Sequence, residues 1–136
     1  MEISTETAQG RVPVAILVLV GELDASNFET VIAEAQSCYA SGSRAFLMDM
    51  SGLTFMSSSG IVALHSIALL ARGEKPHNLE SGWSVFHAID QDIASGFQRH
   101  IKLLNPQPRI IQTLKKTGMD RFFEVYTDRQ AAIDSF

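Results

Sequence analysis

The sequence predicts a single α/β domain, and three stretches predict it. Pro13-Val14-Ala15-Ile16-Leu17-Val18-Leu19-Val20-Gly21 is a run of branched apolar residues closed by glycine, the composition of a strand. Ala45 to Met50 is a second, mostly apolar run, as expected of a strand covered on both faces. Ser57-Ser58-Ser59 then sits where a helix begins, with the apolar Ile61-Val62-Ala63-Leu64 following at once. A chain of 136 residues is one domain of this kind and buries roughly two-thirds of its unfolded surface.

Bulk properties narrow the function classes. Hydrophobic residues at 46% and charged residues at 19% describe an ordered globule. A net charge of −4 argues against a dedicated nucleic-acid binder. Cys38 is the single cysteine, so no internal disulfide forms and a reducing compartment suits the chain. Val12 to Val20 and Ile61 to Ala71 are too short to span a bilayer, so no membrane insertion is expected. The first ten residues carry Glu2 and Glu6 and lack the basic and apolar regions of a signal peptide. The expectation is a cytoplasmic protein.

In chain order, Met1 to Ala8 pairs beside the first strand, with Gln9-Gly10 as the turn. Asp24, Ser26 and Asn27 stand where the next helix needs a cap, and Phe28, Val31, Ile32 and Ala35 give that helix a buried face up to Ser41-Gly42. Ser51-Gly52 breaks the central strand. The helix from Ser58 to Arg72 is apolar nearly all round. It is either buried on both sides or shows an apolar face to a partner, and both readings stay open. Gly73 to Asn78 reads as a loop. Trp83, Phe86, Ile89, Ile93 and Phe97 then recur every three or four residues, the pattern of an amphipathic helix with Asp90, Gln91, Gln98 and Arg99 facing outward. This predicts a helical lid docked on the core in preference to an aromatic-lined ligand pocket, although Trp83 to His87 also reads as an extra strand. Ile101 to Leu104 is a short strand ended by Asn105-Pro106, and Ile110, Ile111 and Leu114 stripe a helix ending at Thr117-Gly118. Met119 to Tyr126 holds a turn and one more strand, and Asp128 caps a last helix with Ala131, Ala132 and Ile133.

The central stretch resembles the signature of STAS domains, found in bacterial anti-sigma-factor antagonists and in some transporter tails. In the antagonists a strand ending in Asp-Leu-Ser precedes Phe-Met-Asp-Ser-Ser-Gly-Leu. Here Asp49-Met50-Ser51 matches the strand end, and Phe55-Met56-Ser57-Ser58-Ser59-Gly60-Ile61 matches the loop, with Ser57 where the family carries an acid. Gly21-Glu22-Leu23-Asp24 resembles the Gly-Glu-Leu-Asp of the same proteins. The resemblance implies one STAS-type domain over residues 1–136, a mixed sheet with helices mainly on one face. Residues 73–99 form a helical insert where the family's connection is shorter.

The resemblance also implies a function: a non-enzymatic protein-interaction switch. A partner of the anti-sigma serine-kinase type docks at Asp24, Ser57, Ser58, Ser59, Gly60 and Ile61 and phosphorylates Ser58, the position of the family's phosphoacceptor. The kinase brings nucleotide and metal, so no catalytic residue, cofactor or metal site is expected here. Physical chemistry agrees that a phosphate at a helix N-terminus is well stabilised. Two alternatives are an unphosphorylated scaffold or transporter-associated module, favoured by Ser57 in place of the acid, and a small-molecule sensor using residues 83–97.

Catalytic readings are weaker. Serines near His65 invite a hydrolase, but Met56 stands where a Gly-x-Ser-x-Gly elbow needs its first glycine. His65 also lies roughly 10 Å along the helix from Ser58 by helical rise. It reads as a packed residue. His77, His87, His100 and Cys38 show no metal-ligand spacing. Arg109, Lys115, Lys116 and Arg121 read as a solvated helix face that is able to attract an acidic partner.

Overall fold

The computed structural model describes residues 1–77 and 83–136. Five strands form one sheet in chain order: β1 (Glu2–Gln9), β2 (Pro13–Leu23), β3 (Phe46–Met56), β4 (Ile101–Leu104) and β5 (Val125–Tyr126). β1 runs antiparallel to β2, and the other neighbours are parallel. The sheet is therefore mixed, as expected.

Side-chain alternation along the strands makes two faces. Ala15, Leu17 and Leu19 of β2, Phe46, Met48 and Met50 of β3, and Ile101 and Leu103 of β4 point into the main core. That core is roofed by α1 (Phe28–Ala40), α2 (Ser58–Ala71), α3 (Trp83–Ile93) and α4 (Pro108–Thr117). Val14, Ile16, Leu47 and Leu104 face the other way, against Ala132 and Ile133 of the short α5 (Arg129–Asp134). Each large side chain so buried is worth about 1.5–3 kcal/mol before ordering costs.

α2 answers the question its composition posed. Eleven of its fourteen residues are buried, because α1 and α3 flank it and the sheet lies beneath. Its all-round apolar character is spent inside the domain. α4 ends at Gly118, whose φ of 78° is the left-handed C-cap that glycine reaches without strain. Asp128 accepts the Ala131 N–H at 2.9 Å and starts α5, as its position predicts.

Two expectations need correction. Ser51-Gly52 does not end the central strand, which continues to Met56. Pairing with β2 slips by one residue between Asp49 and Gly52, a bulge that absorbs the break. The Asp49 carboxylate holds it, accepting from Ser51 N–H at 3.0 Å and Ser51 O–H at 2.6 Å. The insert is the expected helix, and Ile89 and Ile93 of its predicted stripe do face the core, but the aromatic members Phe86 and Phe97 do not. Val85 and Ile89 are buried and Ile93 partly so, whereas Phe86 and Phe97 are 41% and 56% exposed. Gln98, expected outside, is buried. The Trp83 side chain and residue Asn78 lie outside what is described.

Candidate functional site

The parallel strands β2 and β3 end side by side, and both put polar turns at the same edge. Leu23 carbonyl accepts the Ser57 N–H at 2.9 Å, which brings Asp24 beside the serine turn. Asp24 is itself fixed: its carboxylate accepts from Ser26 N–H at 2.9 Å and Ser26 O–H at 2.5 Å. Those two bonds hold its pKa below the usual carboxylate range, side-chain bond first. Asn27, the N-cap residue of α1, reaches back to accept the Asp24 N–H at 3.0 Å.

Ser57 is the N-cap of α2. Its backbone is extended (φ −84°, ψ 178°) and its Oγ accepts the Ser59 N–H at 3.2 Å. Gly60 N–H donates to the Ser57 carbonyl at 2.9 Å and closes the first turn. Ser58, the first helical residue, is the exposed serine of the three; Ser57 and Ser59 are half-buried. Gly60 and Ile61 are buried, so they support the turn from below. A Cβ at Gly60 would lie 2.3 Å from Met56 Cγ and 3.1 Å from Leu23 Cγ. Only glycine lets the first turn of α2 sit this close to the ends of β2 and β3.

Ser58 borders a cleft of about 240 Å³ shared with Ile61, Phe86, Ile89, Asp90, Lys116 and Thr117. The exposed Phe86 therefore stands next to the serine, and Lys116 supplies a cation to the same cleft. Exposed Phe55, with the Arg109 guanidinium 5.9 Å above its ring, adds apolar surface at the end of β3.

A profile of the STAS domain matches residues 5–73, about half of the chain and inclusive of the whole serine turn. The chain belongs to the STAS domain family. No curated protein sequence matches it. Among solved structures, the unphosphorylated anti-sigma factor antagonist SpoIIAA superposes with a TM-score of 0.56 at 21% identity, over 98% of this chain and 96% of that one. The Bacillus cell fate determinant SpoIIAA in its phosphorylated form gives 0.54 at 19% identity, over 96% of each chain. An anti-sigma factor antagonist from Mycobacterium paratuberculosis gives 0.60 at 18% identity, over 96% and 91%. At these identities the likeness is one of fold. Among the described residues, no helix of this STAS domain is long and apolar enough to cross a membrane.

The STAS domain also contains a polar cluster that sequence spacing did not reveal. His65 is 1% exposed, and both its ring nitrogens are engaged: Nε2 with Asp92 Oδ2 and Nδ1 with His77 Nε2, each at 2.7 Å. Arg72 pairs with the same Asp92 at 3.0 Å and with Glu74 at 2.7 Å. Because the Asp92 carboxylate accepts a hydrogen bond from Nε2–H, neutral His65 presents Nδ1 as an acceptor for the His77 N–H. Burial lowers the His65 pKa, and burial together with the neighbouring His65 lowers that of His77 to about 4. The cluster ties the insert to α2 across 27 residues of sequence. His65 is thus engaged away from Ser58 and does not act as its base. The sequence placed His65 on an apolar helix, and only the chain reversal after α2 supplies its partners.

Proposed function

We propose that this STAS domain is an anti-sigma-factor-antagonist type interaction switch, controlled by phosphorylation of Ser58. The observation that carries the reading is the exposed Ser58 hydroxyl at the first turn of α2, flanked by Ser57 and Ser59 that are half-buried. A serine-kinase partner of the anti-sigma type docks over Asp24, the serine turn and the exposed Phe55 and Phe86. Gly60 and Ile61 contribute by fixing the turn. Similarity to antagonist structures, one of them a phosphorylated form, supports the assignment.

Phosphate on Ser58 would add roughly −1.5 to −2 charges at the centre of that surface. The helix N-terminus and Lys116 stabilise the anion within the domain. A partner that buries the turn would have to desolvate it, so the modification expels the partner. Incubation with a serine kinase of the anti-sigma type and ATP, read by intact mass and peptide mapping, tests the site. One phosphate on Ser58 is expected, and it disappears in Ser58→Ala. Modification that survives Ser58→Ala overturns the assignment.

A second reading rests on Ser57, which caps α2 with a neutral hydroxyl where the family carries an acid. On that reading the turn is a constitutive docking surface of a scaffold or transporter-associated module. It predicts tight partner binding and no phosphate transfer in the same experiment.

A further inference from the structure

At the opposite end of the parallel strands lies a cavity of about 610 Å³. Its lining comes from the starts of β2, β3 and β4 and from the end of α5. Ser58 follows the far end of β3, on the order of 30 Å away for an eleven-residue strand. The two sites are therefore separate.

The chemistry of the cavity is consistent from floor to rim. At the floor, Lys102 is 5% exposed, and its ammonium donates to Ser135 carbonyl at 3.0 Å and Ser135 Oγ at 2.9 Å. Those are neutral acceptors, and they leave one N–H unused. The rings of Phe136 and Tyr126 lie 4.8 and 5.6 Å from the nitrogen. No carboxylate of the described residues lies within 4 Å of Lys102, Arg44 or Arg99. A buried ammonium without a counter-ion is costly, and its field is focused into the space it borders. Arg44 and Arg99 add two exposed guanidinium groups at the rim, against Glu124 as the single acidic side chain in the lining. Glu124 is occupied by the Tyr126 hydroxyl at 2.9 Å. Val12, Pro13, Ala45 and Phe136 make the remaining wall apolar.

A structural role accounts for part of this: Lys102 caps the C-terminal end of α5. Arg44 is likewise anchored, stacked 3.6 Å over the Tyr39 ring with one guanidinium nitrogen on the Tyr39 and Ser43 carbonyls, which fixes its remaining N–H groups at the rim. Neither role accounts for Arg99, or for three cationic side chains converging on one apolar cavity in a chain whose net charge is −4. We propose that this cavity binds a small organic phosphate, its head held by Lys102, Arg44 and Arg99 and its apolar body against Phe136 and Pro13. Three cationic side chains against one acidic side chain match a dianionic phosphate monoester better than a monocarboxylate. Guanidinium forks suit its oxygens, and the volume falls in the range of small-molecule sites.

Phenyl phosphate is the probe, followed through backbone amide shifts of the full chain, with benzoate, inorganic phosphate and benzyl alcohol as comparisons. Saturable shifts are expected at Ala45, Arg99, His100 and Lys102, while the Ser58 turn stays still. Benzoate should bind more weakly, and inorganic phosphate and benzyl alcohol more weakly still, since each lacks half of the recognition. Arg99→Gln, at an exposed rim position, should weaken phenyl phosphate about tenfold. Lys102→Met should abolish the shifts; if that variant fails to fold, Arg44→Gln combined with Arg99→Gln replaces it. Absence of shifts at about 10 mM probe, unchanged affinity in Arg99→Gln, or equal binding of benzyl alcohol overturns the proposal.

Discussion

Ser58 sits between two regions that are held in place by different forces. On one side, the first turn of α2 rests on the ends of β2 and β3 through Gly60, Met56 and Leu23, with apolar contact so close that no Cβ fits. On the other, the insert helix α3 contributes, among the described side chains, buried Val85 and Ile89 and partly buried Ile93, and is also tied by the His65–Asp92–Arg72 cluster. Apolar packing is insensitive to pH and intolerant of volume change; a polar tie between histidines and carboxylates is the reverse. The platform under Ser58 should therefore be rigid, and its flank adjustable.

The sharpest way to break that contrast is to cut into each side. Leu64→Ala in α2 removes a side chain with no exposure and should destabilise by about 3–5 kcal/mol in denaturant melts. Ile89→Ala in α3 should cost less, about 2–3 kcal/mol, because the insert can settle into the space. Phe86→Ala should stay within about 0.5 kcal/mol, since its ring is exposed. Equal losses for Ile89→Ala and Phe86→Ala would show that Phe86 packs on the core beside Ile89, as the spacing suggests, in place of Val85.

That last pair shows what the sequence can and cannot convey. The strands, α2 and the serine turn were legible because their signals are local: branched runs, a hydroxyl cap, a glycine where chains touch. The resemblance spans the same region. In the insert, Phe86 and Phe97 satisfy a three-to-four spacing equally well whether they face the core or the surface, and periodicity does not choose between adjacent stripes. Val85 and Ile89 won because they face α2 and the main core. The Ser51-Gly52 break misled for another reason: a side chain, Asp49, stabilises a bulge that backbone propensity alone disfavours. His65 gave no signal, its partners lying 12 and 27 residues onward.

Two smaller effects sharpen the comparison. Gly60→Ala should destabilise by about 1–3 kcal/mol by forcing Met56 and Leu23 apart. Amide exchange should then rise at the start of α2 before it rises in α3. For the polar tie, His77 has its pKa lowered from 6.5 to about 4, so the unfolded chain takes up that proton first as pH falls. Stability contributed by the neutral pair is intact above about pH 6.5 and is lost progressively toward pH 4. Exchange in α3 should accelerate over that window, and His77→Gln should flatten the response. Pure apolar docking of the insert would leave wild type and variant with the same profile.

The central claim is that the Ser58 turn is the docking surface which a charge switches off. Calorimetric titration of wild type, Ser58→Ala and Ser58→Asp with the unphosphorylated kinase partner tests it most directly. The neutral alanine should bind like wild type. The aspartate should lose about 1–3 kcal/mol, roughly tenfold to a hundredfold in affinity, from an unpaired charge brought to a desolvated interface. Equal affinities for the alanine and aspartate variants would place Ser58 outside the interface and contradict the account.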